Sequence, residues 1–185
     1  ILALEKIVGS VDLVVSGINR GSNLGWDVMV SGTIGGAVQG FVRGCATIAI
    51  SVGSVRDPKF ESPAFLLEMV ARRLNEQPPP SDLFLNINVP SLPVDRLTGV
   101  QVTRLGNRSY GESVREEGTG DQKQYKIARD RPISGEAQPG TDMWALKNNQ
   151  VSITPLHIGL GNTDQIPEVE SLLEGIPEQL LSQKD

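Results

Sequence analysis

Residues Val11–Gly40 read VDLVVSGINRGSNLGWDVMVSGTIGGAVQG, and how this stretch is parsed decides the fold. The apolar run DLVVS at 12–16 predicts a short strand buried on both faces and ended by Gly17. Residues 17–30 predict a Gly/Asn loop. Ser31–Arg43 predicts a helix, with Ser31 or Thr33 near its cap and Ile34, Ala37, Val38 and Phe41 on one face. Gly44 ends it. Seven residues of the stretch are glycine. Each loses conformational freedom on folding, so a cluster this dense predicts that backbone must come close to something.

Outward from there, TIAISV at 47–52 predicts a second buried strand. Ser62–Asn75 predicts a helix, with Phe65, Leu66, Met69, Val70 and Leu74 at helical spacing. The linker QPPPS leads to LFLNINVP, a third strand ended by Pro90. This strand–helix–strand–helix–strand order predicts an α/β parallel sheet. After Pro90 the character changes. GVQVTR at 99–104 is a further strand, and residues 105–140 are polar and Gly-rich. They predict a protruding hairpin arm, with YKIA as a strand. Thr141–Lys147 predicts a short helix, VSITPL another strand, and Ile166–Gln183 a terminal helix interrupted near Gly175 and Pro177. Residues 1–104 are therefore expected to form the α/β core. Residues 105–185 are expected to form the arm, a returning strand and a C-terminal oligomerisation helix. The opening ILALEKIVGS reads as the end of an amphipathic helix, so the core is expected to lack a piece upstream.

Of 185 residues, 38% are hydrophobic, and the net charge is −5. That mildly acidic profile predicts no binding to duplex nucleic acid or to anionic membrane. No apolar run approaches the roughly 20 residues that span a bilayer, and no signal peptide is visible; a cytoplasmic location is expected. The single cysteine, Cys45, excludes an internal disulfide and any multi-cysteine zinc site, and is expected to be an inert core thiol.

In an open α/β sheet, ligands bind beyond the carboxyl ends of the strands, where Asn19 and NRGSNLG are expected to lie. The following helix start presents unpaired N–H groups and the positive end of its dipole, a ready anion site. Glycines 32, 35 and 36 would let a phosphate approach, although small residues also let a helix pack closely on a sheet. No acidic residue stands between Asp27 and Asp57. The patterns GxxxxGK[ST] and GxGxxG are both absent, which argues against a nucleoside triphosphatase and a dinucleotide dehydrogenase. His157 is the only histidine and no GxSxG elbow accompanies it, so it is expected at the surface or an interface. A phosphate site with no histidine base or cysteine nucleophile calls for a divalent metal. Asn19 offers one hard oxygen, but one neutral oxygen cannot hold such an ion. Asp27 could add a carboxylate or simply cap the loop. Trp26 is the nearest candidate for stacking on a base but is expected to pack, and no substrate role is assigned to Arg104, Arg108 or Tyr110.

The stretch Val11–Gly40 closely resembles the signature of the SurE family, the survival-protein nucleotidases and phosphatases. LFLNINVP, GVQVTR, GTDMWAL and VSITPLH resemble later segments of that family in the right order. The resemblance implies a Rossmann-like three-layer α/β fold. It implies hydrolysis of nucleoside 5′ or 3′ monophosphates with a divalent metal, Mn²⁺ or Mg²⁺, and assembly as a homodimer or homotetramer. The family's asparagine metal ligand falls on Asn19. Its phosphate-holding helix start falls on Ser31, Gly32 and Thr33, with Gly21 and Asn23 shaping the adjacent pocket wall. The family's Asn-Asp-Asp-Gly motif, which carries paired aspartate ligands, is not in this sequence. The catalytic aspartates are therefore unassigned. The rival expectations are a phosphate-binding scaffold without catalysis and an oligomerisation unit.

Overall fold

The structure is a computed structural model and describes residues 1–79, 82–107, 114–120, 123–127 and 137–181. A helical turn at Ala3–Ile7 precedes strand β1 (Leu13–Arg20). Then follow helix α1 (Gly32–Phe41), β2 (Ala46–Val52), α2 (Glu61–Glu76), β3 (Phe84–Val89) and β4 (Gly99–Val102). The hairpin strands β5 (Val114–Glu117) and β6 (Gln124–Ile127) precede α3 (Asp142–Lys147), β7 (Gln150–Pro155), α4 (Ile166–Leu172) and α5 (Ile176–Leu181).

Five strands form one sheet in the order β1-β2-β3-β7-β4. β1, β2 and β3 are parallel, joined by the two helical crossovers that their spacing predicts. The sheet is not wholly parallel, however: β7 enters between β3 and β4, antiparallel to β3 and parallel to β4. A strand returning after a long excursion can approach from either end, and its own residues do not encode which. β5 and β6 form a separate antiparallel pair, the expected hairpin. The expected terminal helix is two short ones, divided at Gly175, whose φ of +78° suits glycine.

The core has two faces because β2 and β3 are covered on both. On one, Ile34, Ala37, Val38 and Phe41 of α1 pack on Ala49 and Phe84, and the Phe41 and Phe84 rings lie 5.5 Å apart. On the other, Leu66, Val70 and Leu74 of α2 pack on Ile48, Ile50, Ile87 and Val89. Helices on both faces make three layers. Phe65 and Met69, expected inward, are more than half exposed on α2. Cys45 is only half-buried, its thiol donating to Val11 O at 3.4 Å, so it is not a core residue.

β1 runs further than its composition predicts. Gly17 does not end it; pairing resumes at Asn19↔Ser51 and Arg20↔Val52 after an irregularity that begins at Ser16. Gly17 adopts φ +136°, and a Cβ there would lie 2.3 Å from Ile50 O. A glycine inside a strand thus marks a bulge and close backbone approach, not a terminus.

Candidate phosphate-holding site

Asn19 therefore sits on the last turn of pleat of β1 rather than in a loop. Its Nδ2 donates to Gly21 O at 2.8 Å, which orients the amide. No hydrogen bond reaches its Oδ1 among the described residues. Gly21 follows with φ +95°, and its N–H extends the sheet pairing to Val52 O at 3.0 Å.

The chain then dives into the molecule at Asn23, 5% exposed. Its N–H donates to Asn88 Oδ1 at 2.8 Å, and its carbonyl accepts from Asn86 Nδ2 at 2.9 Å and Asn88 Nδ2 at 3.0 Å. Its own Nδ2 donates to Ser51 Oγ at 2.7 Å. Two residues on, Gly25 N–H donates to Asp142 Oδ2 at 2.7 Å. Asp142 is fully buried, and its Oδ1 accepts from Gly106 and Met143 N–H, both at 2.8 Å. These anchors went unassigned in the sequence. Asn86 and Asn88 lie in an apolar strand pattern, where a buried amide at alternate positions was the one available signal.

A short 3-10 turn, Gly25–Val30, carries the chain to α1. Asp27 is buried within it, at 1% exposure. Trp26, expected to pack, is 59% exposed. Ser31 caps α1: its Oγ accepts from Ile34 N–H at 3.3 Å, and its carbonyl accepts from Gly35 N–H at 2.9 Å. The Ser31 hydroxyl donates no hydrogen bond among the described residues. Gly32 and Thr33 N–H form no hydrogen bond among the described residues, and the first turn carries no acidic side chain.

The glycines of α1 divide into two kinds. A Cβ on Gly36 would lie 2.8 Å from Ser16 Oγ, and one on Gly40 would lie 2.5 Å from Val14 Cβ, so both serve close packing on β1. Gly32 and Gly35 face open space, with nothing within 4 Å of a Cβ. The helix thus runs back along β1, opposing Gly40 to Val14 and Gly36 to Ser16. One more turn, about 6 Å of rise, brings its N-terminus level with the Asn19 end of the strand. Asn19, Gly21 and the anchored Asn23 lie at the carboxyl ends of β1 and β2, and Ser31, Gly32 and Thr33 open the helix that runs back along β1.

Comparison with known proteins gives the family. Residues 1–112 match the family model described as survival protein SurE. The chain belongs to the SurE family. It is 42% identical over 160 residues to a 5'-nucleotidase SurE of Dehalococcoides mccartyi, matching 85% of this chain and 60% of that protein. It is 37% identical over 175 residues to the 5'-nucleotidase SurE of Legionella pneumophila, matching 95% of this chain and 70% of that protein. The crystal structure of the SurE protein from Aquifex aeolicus superposes with a TM-score of 0.77 at 36% identity, covering 92% of this chain and 70% of that one. The chain thus spans about three fifths of the length of the Dehalococcoides SurE.

Among the described residues, no group of three or more His, Cys, Asp or Glu side chains converges to hold a metal ion. Asn19 supplies one neutral oxygen, and the Asp142 carboxylate is occupied by three backbone N–H groups. The described SurE residues by themselves do not fit a divalent cation. His157 is exposed, as expected, its Nδ1 accepting from Gly159 N–H at 2.9 Å and its ring edge-on to Phe41 at 6.0 Å. Arg108 and Tyr110 lie outside the described residues.

Proposed function

We propose that this chain carries the phosphate-holding part of a divalent-metal-dependent phosphomonoester hydrolase that acts on nucleoside monophosphates and releases nucleoside and phosphate. The observation that carries this reading is the opening of α1. Gly32 and Thr33 offer unused N–H groups beside the Ser31 hydroxyl, no side chain stands over Gly32, and Asn19 lies at the same end of the sheet.

Phosphoryl oxygens would accept from Gly32 N–H and Thr33 N–H, with the Ser31 and Thr33 hydroxyls as further donors. These donors are preorganised, so they stabilise charge that grows on the equatorial oxygens without reorganising during reaction. Gly21 and Asn23 form the wall, Asn23 being held by hydrogen bonds to Ser51, Asn86 and Asn88. A divalent ion, Mn²⁺ or Mg²⁺, would need ligands beyond the described residues, and when bound would polarise the phosphoryl group and lower the pKa of water. Asn19 Oδ1 is the ligand atom that the described residues would offer it.

The test is phosphate release from a panel of nucleoside 5′ and 3′ monophosphates with Mn²⁺ or Mg²⁺, repeated after EDTA. The reading expects chelator-sensitive release. The lack of a converging ligand cluster among the described residues is the observation behind a second reading, a nucleotide-binding scaffold without turnover. Folded protein that binds AMP equally well with and without EDTA, and releases no phosphate, establishes that second reading.

A further inference from the structure

We propose that Asn88 is a positioning residue for the phosphate site, acting through the backbone of Asn23. Asn88 is fully buried, so it cannot touch a substrate. Its carboxamide grips both polar groups of one residue: Oδ1 accepts the Asn23 N–H and Nδ2 donates to the Asn23 carbonyl. Only this orientation of the amide satisfies both ends, so the side chain reads the loop as a paired strand would.

The clamp belongs to a row of polar residues crossing the sheet at one level. Asn19 of β1 registers with Ser51 of β2, Ser51 with Asn88 of β3, and Asn88 with Ser152 of β7. Ser51 and Asn88 both hold Asn23, while Asn19 is tied to Gly21 two residues earlier. The loop between the strand end and α1 is therefore pinned from beneath by the same row that ends in Asn19. Free, a loop so rich in glycine would sample many conformations. The pin selects one, and a misplacement of about 1 Å at such a site costs on the order of 100-fold in rate. An Asp at position 88 keeps the acceptor for Asn23 N–H but sets an oxygen against the Asn23 carbonyl. It thus breaks the clamp at constant shape.

This inference rests on the phosphate-site reading, so its test separates the two. Wild type, Asn88→Ala, Asn88→Asp and Val151→Ala are compared with AMP and Mn²⁺. Val151 is buried in the same sheet on the α2 face, away from the loop, and controls for lost stability alone. The Asn88 variants are expected to lose at least 10-fold in kcat/KM per folded molecule, mainly in kcat, while Val151→Ala keeps the wild-type value despite a lower Tm. Amide exchange at Asn23 and Gly25 is read in parallel, without substrate. Faster exchange there in the Asn88 variants than in Val151→Ala is expected. If wild type neither turns over AMP nor binds inorganic phosphate, the phosphate-site reading fails, and the exchange data alone decide whether Asn88 fixes the loop. Asn88 variants that match Val151→Ala in both kcat/KM and exchange overturn the proposal.

Discussion

Gly32 and Gly40 are the same residue type in one helix and predict opposite outcomes. At Gly40 a methyl group would press into Val14 and Thr47 Oγ1, so Gly40→Ala should destabilise by about 1–3 kcal/mol, measured as a lower Tm. At Gly32 the space is open, and Gly32→Ala should leave stability equal or raise it by up to about 1 kcal/mol. The same change should cut phosphate release, because the methyl group stands where an oxygen is expected. A Gly32→Ala variant with full turnover removes the helix start from the site. Asn19→Ala should raise the Mn²⁺ concentration needed for half-maximal release at least 10-fold; an unchanged Mn²⁺ response counts against Asn19 as a ligand. The sequence shows these glycines as one cluster, because composition cannot tell a packing glycine from an approach glycine. That distinction depends on what stands opposite each, and Val14 is 26 positions away from Gly40.

At the scale of elements, strand and helix identities were legible wherever periodicity is strong. α1, α2, β2 and β3 fall close to their expected positions because both covered faces demand apolar residues at fixed spacing. The extent of β1 was not, since Gly17 reads locally as a breaker yet is demanded by the Ile50 carbonyl of the next strand. Nor was the role of α3. Thr141 caps it, its Oγ1 accepting from Trp144 N–H at 3.2 Å, and Asp142 then turns inward to join the site loop at Gly25 and the chain after β4 at Gly106. Asp142→Ala would leave three backbone donors, the Gly25, Gly106 and Met143 N–H groups, without that acceptor. A loss of about 2–4 kcal/mol is expected, read as a lower urea midpoint at unchanged m-value. A midpoint within error of wild type shows that water replaces the carboxylate and that the staple is dispensable.

At the scale of the molecule, the C-terminal helices carry apolar residues into solvent. Leu172 is 78% exposed, and Ile166, Val169, Ile176 and Leu181 are each about half exposed. Apolar residues at helical spacing on one segment mark a surface that associates. The chain is expected to run in solution as a dimer or tetramer, and Leu172→Glu with Leu173→Glu should shift it toward the monomer by light scattering. A wild type that is monomeric at micromolar concentration removes oligomerisation from these helices. No helix among the described residues is long and apolar enough to cross a membrane. By itself the sequence determined the α/β class and the order of the first three strands and their crossovers, and it named the stretch in which the site is proposed. Each of these is written in contacts between near neighbours, through periodicity, caps and turn residues. Only the tertiary structure decided the antiparallel entry of β7, the length of β1 and the anchoring of Asn23 by Asn86 and Asn88. The anchoring rests on hydrogen bonds between residues 63 and 65 positions apart, and the other two on pairing with neighbouring strands, whose energies depend on register and burial and leave no local pattern.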